Sequence, residues 1–171
     1  MVFSLFVATL AFPTKAAPPK PNIIFILADD LGGGDVGVYF QNARRVANNR
    51  SGPWLLTPKL DAMAAGGMQL RQHYCSAPVC APSRASLMLG VHQGHANVRD
   101  NQFDKELENN HTLGTVLRQA GYATAAIGKW GLQGTNAVHP TDFPAHPLKR
   151  GCDFYFGVMR SADGHAHDPT E

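Results

Sequence analysis

Residues 22–37 read NIIFILADDLGGGDVG, and their order sets the expected fold class. After Asn22 comes a continuous apolar, β-branched run, Ile23 to Ala28, of strand length. A run with no polar alternation predicts a strand covered on both faces, the usual state of strands in parallel sheets flanked by crossover helices. It ends in Asp29 and Asp30, and the glycine-rich loop Leu31 to Gly37 follows. Ligand sites of open α/β sheets gather at the carboxyl ends of strands, so this pair is the first candidate site. Adjacent carboxylates repel each other, and a hard divalent ion such as Ca²⁺ or Mg²⁺ would relieve that repulsion. The alternative is a solvated turn with aspartate as a local cap.

Further along, Thr57-Pro58 is a helix start, a hydroxyl N-cap before proline at the first helical position. Leu60, Met63 and Ala64 share one face of that helix, and Gly66-Gly67 stops it. Between Gly37 and this helix, residues 40–56 lack a clean period and read as loop with a short helix. Residues 68–75 alternate as a strand. Thr112 caps another helix, with Leu113, Val116, Leu117 and Ala120 at helical spacing and Gly121 as a left-handed stop. Tyr122 to Ile127 is a short strand ending at Gly128-Lys129. Strands alternating with helices define an α/β fold.

The 171 residues are 44% hydrophobic, enough to build a core, and length alone suits one domain. A formal charge of +2 points to neither nucleic acid nor an anionic membrane surface. Seventeen glycines and twelve prolines predict long, shaped loops. At the start, MVFSLFVATLA is an uncharged apolar run followed by the small residues Ala16 and Ala17. It falls short of the roughly 20 apolar residues that span a bilayer. It predicts a signal peptide over residues 1–17, hence a periplasmic or secreted protein, with a buried N-terminal strand as the alternative. No later stretch approaches spanning length.

Two motifs are misleading. Gly32, Gly34 and Gly37 match G-x-G-x-x-G. However, Asp29, Asp30 and Asp35 would crowd a phosphate, and no strong helix opens at Gly37. Cys75, Cys80, His92 and His95 approach a zinc-finger spacing, yet the histidines stand one residue too close and Gly94 lies between them.

The most specific local feature is Cys80-Ala81-Pro82-Ser83-Arg84. Pro82 and Ser83 are helix-start residues, which places Cys80 just before a helix N-terminus. That position favours an anionic group, and Arg84 adds positive charge, so a thiol there is activated. A small buried cysteine before an ordinary helix is the competing reading. With Cys75 and Cys152 the chain has an odd number of cysteines, so at least one is unpaired or modified.

This run resembles the C-x-P-S-R signature of type I sulfatases, in which the cysteine is oxidised to Cα-formylglycine. Four further segments match that family in order: PNIIFILADDLGGGDVG, LTPKLDAMAAGG, GYATAAIGKWGLQG and GCDFYFGVMRSADGHAHDP. The resemblance implies an alkaline-phosphatase-like α/β sandwich with a mostly parallel central sheet flanked by helices. It implies a Ca²⁺ site, with Mg²⁺ as a substitute, formed by Asp29, Asp30 and the formylglycine derived from Cys80. A hydroxyl of the hydrated formylglycine would attack the sulfur of a sulfate ester, expelling the alcohol. Arg84 would hold the formylglycine, and Lys129 would contact the sulfate or the leaving-group oxygen. Ser161 falls where some relatives place a substrate contact, and His165 and His167 would line the same mouth; ordinary polar loop residues are the alternative reading of all three. The implied partners are a sulfated small molecule or carbohydrate and a formylglycine-generating or anaerobic sulfatase-maturating enzyme.

The sequence departs from the family at three points. Lys129-Trp130-Gly131 lacks a histidine common two residues after the lysine, leaving His139, His146, His165 or His167 to supply an imidazole. Leu89 replaces a common threonine. The family's remaining metal ligands lie beyond the region matched, so residues 18–171 are expected to be the N-terminal part of a sulfatase catalytic domain with an incomplete metal site. Two rivals remain, a phosphodiesterase or phosphonate hydrolase of the same superfamily and a catalytically inactive secreted binding domain.

Overall fold

The computed structural model describes residues 19–47, 52–101, 104–135, 139–161 and 163. The proposed signal segment, residues 1–17, lies outside them. The chain divides into two compact units, Met1–Gln69 and Leu70–Glu171.

In the first unit, Asn22 to Ala28 form no strand and pair with no other described segment. Ile24 and Ile26 are 85% and 80% exposed. The sequence expectation of a doubly covered strand is therefore corrected. Apolar β-branched composition suits a strand, but a strand also needs neighbours to take its backbone hydrogen bonds, and the described residues supply none here. The order in this unit comes instead from polar contacts downstream. A 3₁₀ turn, Gly33–Asp35, leads into a π-helical turn, Gly37–Gln41, and then α1, Asn42–Val46. Helix α2 spans Pro58–Gly66, with the expected proline in its first turn. Thr57 does not cap it through its side chain. Its hydroxyl accepts from the Gly37 amide at 2.7 Å and donates to Asp61 at 3.2 Å. Asp61 also accepts from the Val38 amide and from Asn42 Nδ2, each at 2.8 Å. One carboxylate thus ties the glycine-rich segment to α2. These hydrogen bonds hold its pKa below the ordinary carboxylate value, the Asn42 bond most strongly.

The second unit has an apolar core. Helix α3, Cys80–Leu89, buries Ala81, Ala85 and Leu89 at four-residue spacing. This stripe packs with Ala96, Val98, Leu107, Trp130, Leu132 and Ala145. Gly90 ends the helix at φ +65°, a left-handed conformation that glycine adopts without a Cβ penalty. The strand expected over residues 68–75 is absent; a turn closes there, with the His73 amide on Leu70 O. Helix α4, Leu113–Gln119, is capped as expected: Thr112 Oγ1 accepts from the Thr115 amide at 3.1 Å. Gly121 follows it at φ +81°.

Strands β1, Ala125–Ile127, and β2, Phe154–Phe156, pair in parallel with Ala126 opposite Tyr155. Both strands alternate, so Ala126 and Tyr155 turn inward while Ile127, Phe154 and Phe156 are exposed. The described part of the connection between them carries 3₁₀ turns at Pro140–Asp142 and Pro147–Arg150. The buried Arg150 donates through Nε and an Nη to Leu107 O, and its own carbonyl accepts from Thr112 Oγ1 at 2.6 Å. These bonds dock the start of α4 on the turn before β2.

Candidate active site around Cys80

Cys80 is the first residue of α3, one position further into the helix than the sequence suggested. Pro82 brings no amide to this helix end, and the Ala81 amide is taken by Asn101 Oδ1 at 2.8 Å. Two of the donors that would otherwise face an anion are therefore spent or missing. The positive charge beside the thiol comes from a side chain instead: Lys129 Nζ stands 3.2 Å from Cys80 Sγ. Asn101 was invisible to sequence reasoning, because an amide 20 residues away carries no local signal for a helix end.

The meeting of Cys80 and Lys129 follows from the core. Ala81, Ala85 and Leu89 bury one face of α3 against Trp130 and Leu132. Cys80 and Arg84 lie one position before Ala81 and Ala85, at the margin of that face, and Lys129 directly precedes Trp130. Packing the apolar neighbours brings the polar ones together. Arg84, one turn beyond Cys80, donates to Lys129 O at 2.5 Å. Trp130 is anchored by its indole N–H on Ala145 O at 2.9 Å.

Gly131, at the position where an imidazole is common in the family, cannot carry one in this conformation. Its φ is +69°, and an added Cβ would lie 2.3 Å from Ser161 Oγ. Ser161 fills the place of a side chain at 131. Its hydroxyl is buried and has no hydrogen-bond partner among the described residues. His146 is no substitute imidazole: it is 5% exposed, its Nδ1 accepts from the Leu148 amide, and its ring meets Tyr155 edge-on at 5.5 Å. Burial lowers its pKa, with Lys149 acting the same way. His139 precedes the Pro140 turn, while His165 and His167 lie outside the described residues.

Asp29 and Asp30 belong to the first unit and are exposed. Asp30 has φ +57°, a left-handed conformation uncommon for a residue with a side chain. Two carboxylates are hard oxygen donors that fit Ca²⁺ or Mg²⁺, but they fall short of the roughly six to eight oxygens calcium takes. No group of three or more His, Cys, Asp or Glu that could hold a metal occurs among the described residues. The Asp35 carboxylate accepts from the Gly32 amide at 3.0 Å, placing negative charge where a dinucleotide phosphate would need donors. Cys75 is an exposed free thiol and Cys152 a buried one, so the two are not bridged.

The fold class comes from solved relatives: the chain superposes on part of an alkaline-phosphatase-like α/β domain. The chain belongs to the sulfatase family, whose model matches residues 21–169. It is 38% identical over 156 residues to arylsulfatase D of Homo sapiens, covering 85% of this chain and 24% of that protein. It is 36% identical over 162 residues to N-acetylgalactosamine-6-sulfatase of Rattus norvegicus, covering 88% of this chain and 28% of the relative. A solved structure described under metabolism of multiple glycosaminoglycans by Bacteroides thetaiotaomicron superposes with a TM-score of 0.68 at 28% identity. That superposition covers 85% of this chain and 30% of the other. The chain thus spans about a quarter of the length of the curated relatives it matches.

Proposed function

We propose that the protein hydrolyses sulfate esters, with residue 80 as the site of the nucleophile. The observation that carries this reading is the Cys80-x-Pro82-Ser83-Arg84 turn at the start of α3 with the Lys129 ammonium 3.2 Å from Sγ. Lys129 offers three donors to an anion and binds its oxygens without demanding planar geometry. Placed at residue 80, it holds a sulfate oxygen or meets charge developing on the leaving-group oxygen. Arg84 fixes the Lys129 backbone and leaves a second cation close to the anion. Ser161 and His165 are the proposed substrate contacts, carried over from the family resemblance.

Formylglycine at residue 80 would supply the hydroxyl nucleophile, and Ca²⁺, with Asp29 and Asp30 among its ligands, would supply Lewis-acid polarisation. The partly exposed side chain of Cys80 suits both the modification and a substrate. The substrate class is a sulfated small molecule or carbohydrate, in keeping with the N-acetylgalactosamine-6-sulfatase relative. The reading carries with it export directed by residues 1–17 and a formylglycine-generating or anaerobic maturating enzyme as partner. Residues 18–171 are the N-terminal part of the catalytic domain.

The test is mass spectrometry of the peptide containing Cys80 after coexpression with a formylglycine-generating enzyme. The aldehyde or its hydrate is expected. Recovery of only the thiol sinks the formylglycine mechanism.

A further inference from the structure

The lysine at the candidate site sits on a turn, and a turn is as rigid as the hydrogen bonds on its peptide groups. After β1, the Gly128 amide makes the last rung with Phe156 O at 2.8 Å, and the chain turns at Gly128 with φ +106°. The next two carbonyls then receive side-chain donors from two different elements. Tyr155 Oη, from the middle of β2, donates to Gly128 O at 3.2 Å. Arg84, from α3, donates to Lys129 O. The peptide groups on both sides of Lys129 are thus each held by a side chain. Gly157 packs so closely here that an added Cβ would fall 2.0 Å from Gly128 O, leaving the turn no room to slide toward β2.

Building on the proposed sulfatase reading, we propose that Tyr155 is a positioning residue for Lys129: its hydroxyl fixes the Gly128–Lys129 peptide while Arg84 fixes the Lys129–Trp130 peptide, so that the ammonium meets residue 80. Tyr155 is suited to this. It is on the inward side of β2 and packs against the core, and the edge-on ring of His146 limits its swing. Burial pushes its phenol up to about 12, against a smaller opposing effect of the Arg84 charge, so it remains a protonated donor at any working pH.

Tyr155→Phe removes the donor and keeps the ring. In the protein with residue 80 left as a thiol, a short thiol-and-amine cross-linker joins Cys80 to Lys129, and peptide mass spectrometry reads the yield. A severalfold lower yield in Tyr155→Phe than in the parent is expected, and an equal yield overturns the proposal. This arm needs no turnover, so failure of the parent to hydrolyse an aryl sulfate counts against the sulfatase reading alone. In the matured protein, loss of one hydrogen bond predicts that Tyr155→Phe lowers kcat about fivefold with KM little changed. In a Lys129→Ala background the same substitution should then have no further effect. An equal fall in both backgrounds would make Tyr155 merely structural and overturn its assignment to Lys129.

Discussion

The two units respond oppositely to the same ingredient. The first holds the most apolar stretch among the described residues, Ile23 to Leu27, and leaves it exposed; its order rests on the hydrogen bonds of Thr57 and Asp61. The second has shorter apolar segments, yet Ala81, Ala85 and Leu89 find Trp130, Leu132 and Leu107 within the same unit and close a core. A helix meets its own backbone hydrogen bonds and needs only one partner face, whereas a strand needs neighbours even to exist. Apolar content alone therefore does not say which segment is buried.

Cutting into the closed core should produce the largest effect. Leu107 is fully buried, and Leu107→Ala should cost about 2–5 kcal/mol in denaturant unfolding. A loss under about 1 kcal/mol would mean that the second unit is not organised around this core.

At the site, Gly131→Ala forces a side chain into left-handed backbone and onto Ser161 Oγ. A loss of roughly 1–2 kcal/mol is expected from the strained conformation. Adding Ser161→Gly should recover part of it, and no recovery would remove the steric coupling of these two positions.

Thr112→Ala should cost about 1 kcal/mol by loss of the α4 cap. Thr57→Ala instead should speed amide exchange at Gly37 in the first unit without fraying α2, because its hydroxyl serves that amide and no helical one. Faster exchange in α2 alone would contradict that assignment.

Acid sharpens the contrast in a further way. Asp61 in the first unit and Asp153 in the second both have carboxyl pKa values lowered from 3.8, Asp153 chiefly through its bonds to the Thr124 backbone and hydroxyl. A depressed folded value means the stabilisation is complete above the unfolded pKa and fades as pH falls through the folded one. Both units should therefore lose stability below about pH 4. Asp61→Asn should flatten that acid response for residues 37–42 only, as read by amide exchange against pH. The smallest effect is expected at Ile24, where Ile24→Ala should change unfolding by less than about 0.5 kcal/mol, since the side chain is already exposed.

Segments whose controlling interactions are local are legible in the sequence. The Thr112 cap, the Gly121 stop and the Pro58 start are set by groups within four residues of each other, and so, to within a residue or two, is the start of α3 near Cys80. Residues 22–28 and 68–75 are not legible in this way, because strand formation depends on partners remote in sequence. Thr57 is likewise a cap by its sequence position, yet its hydroxyl serves the more distant Gly37 amide.

By itself the sequence determined the family, the identity of the signature residues Cys80, Pro82, Ser83 and Arg84, and the local helix ends, because each is a property of contiguous residues. Only the tertiary structure decided that Lys129 reaches Cys80, that Asn101 takes the Ala81 amide, that Ser161 fills the side-chain space of Gly131, and that Tyr155 and Arg84 grip the Lys129 turn. These contacts join residues 20 to 49 positions apart. They exist because the apolar stripe of α3 packs on Trp130 and Leu132 and carries the polar residues beside it into register.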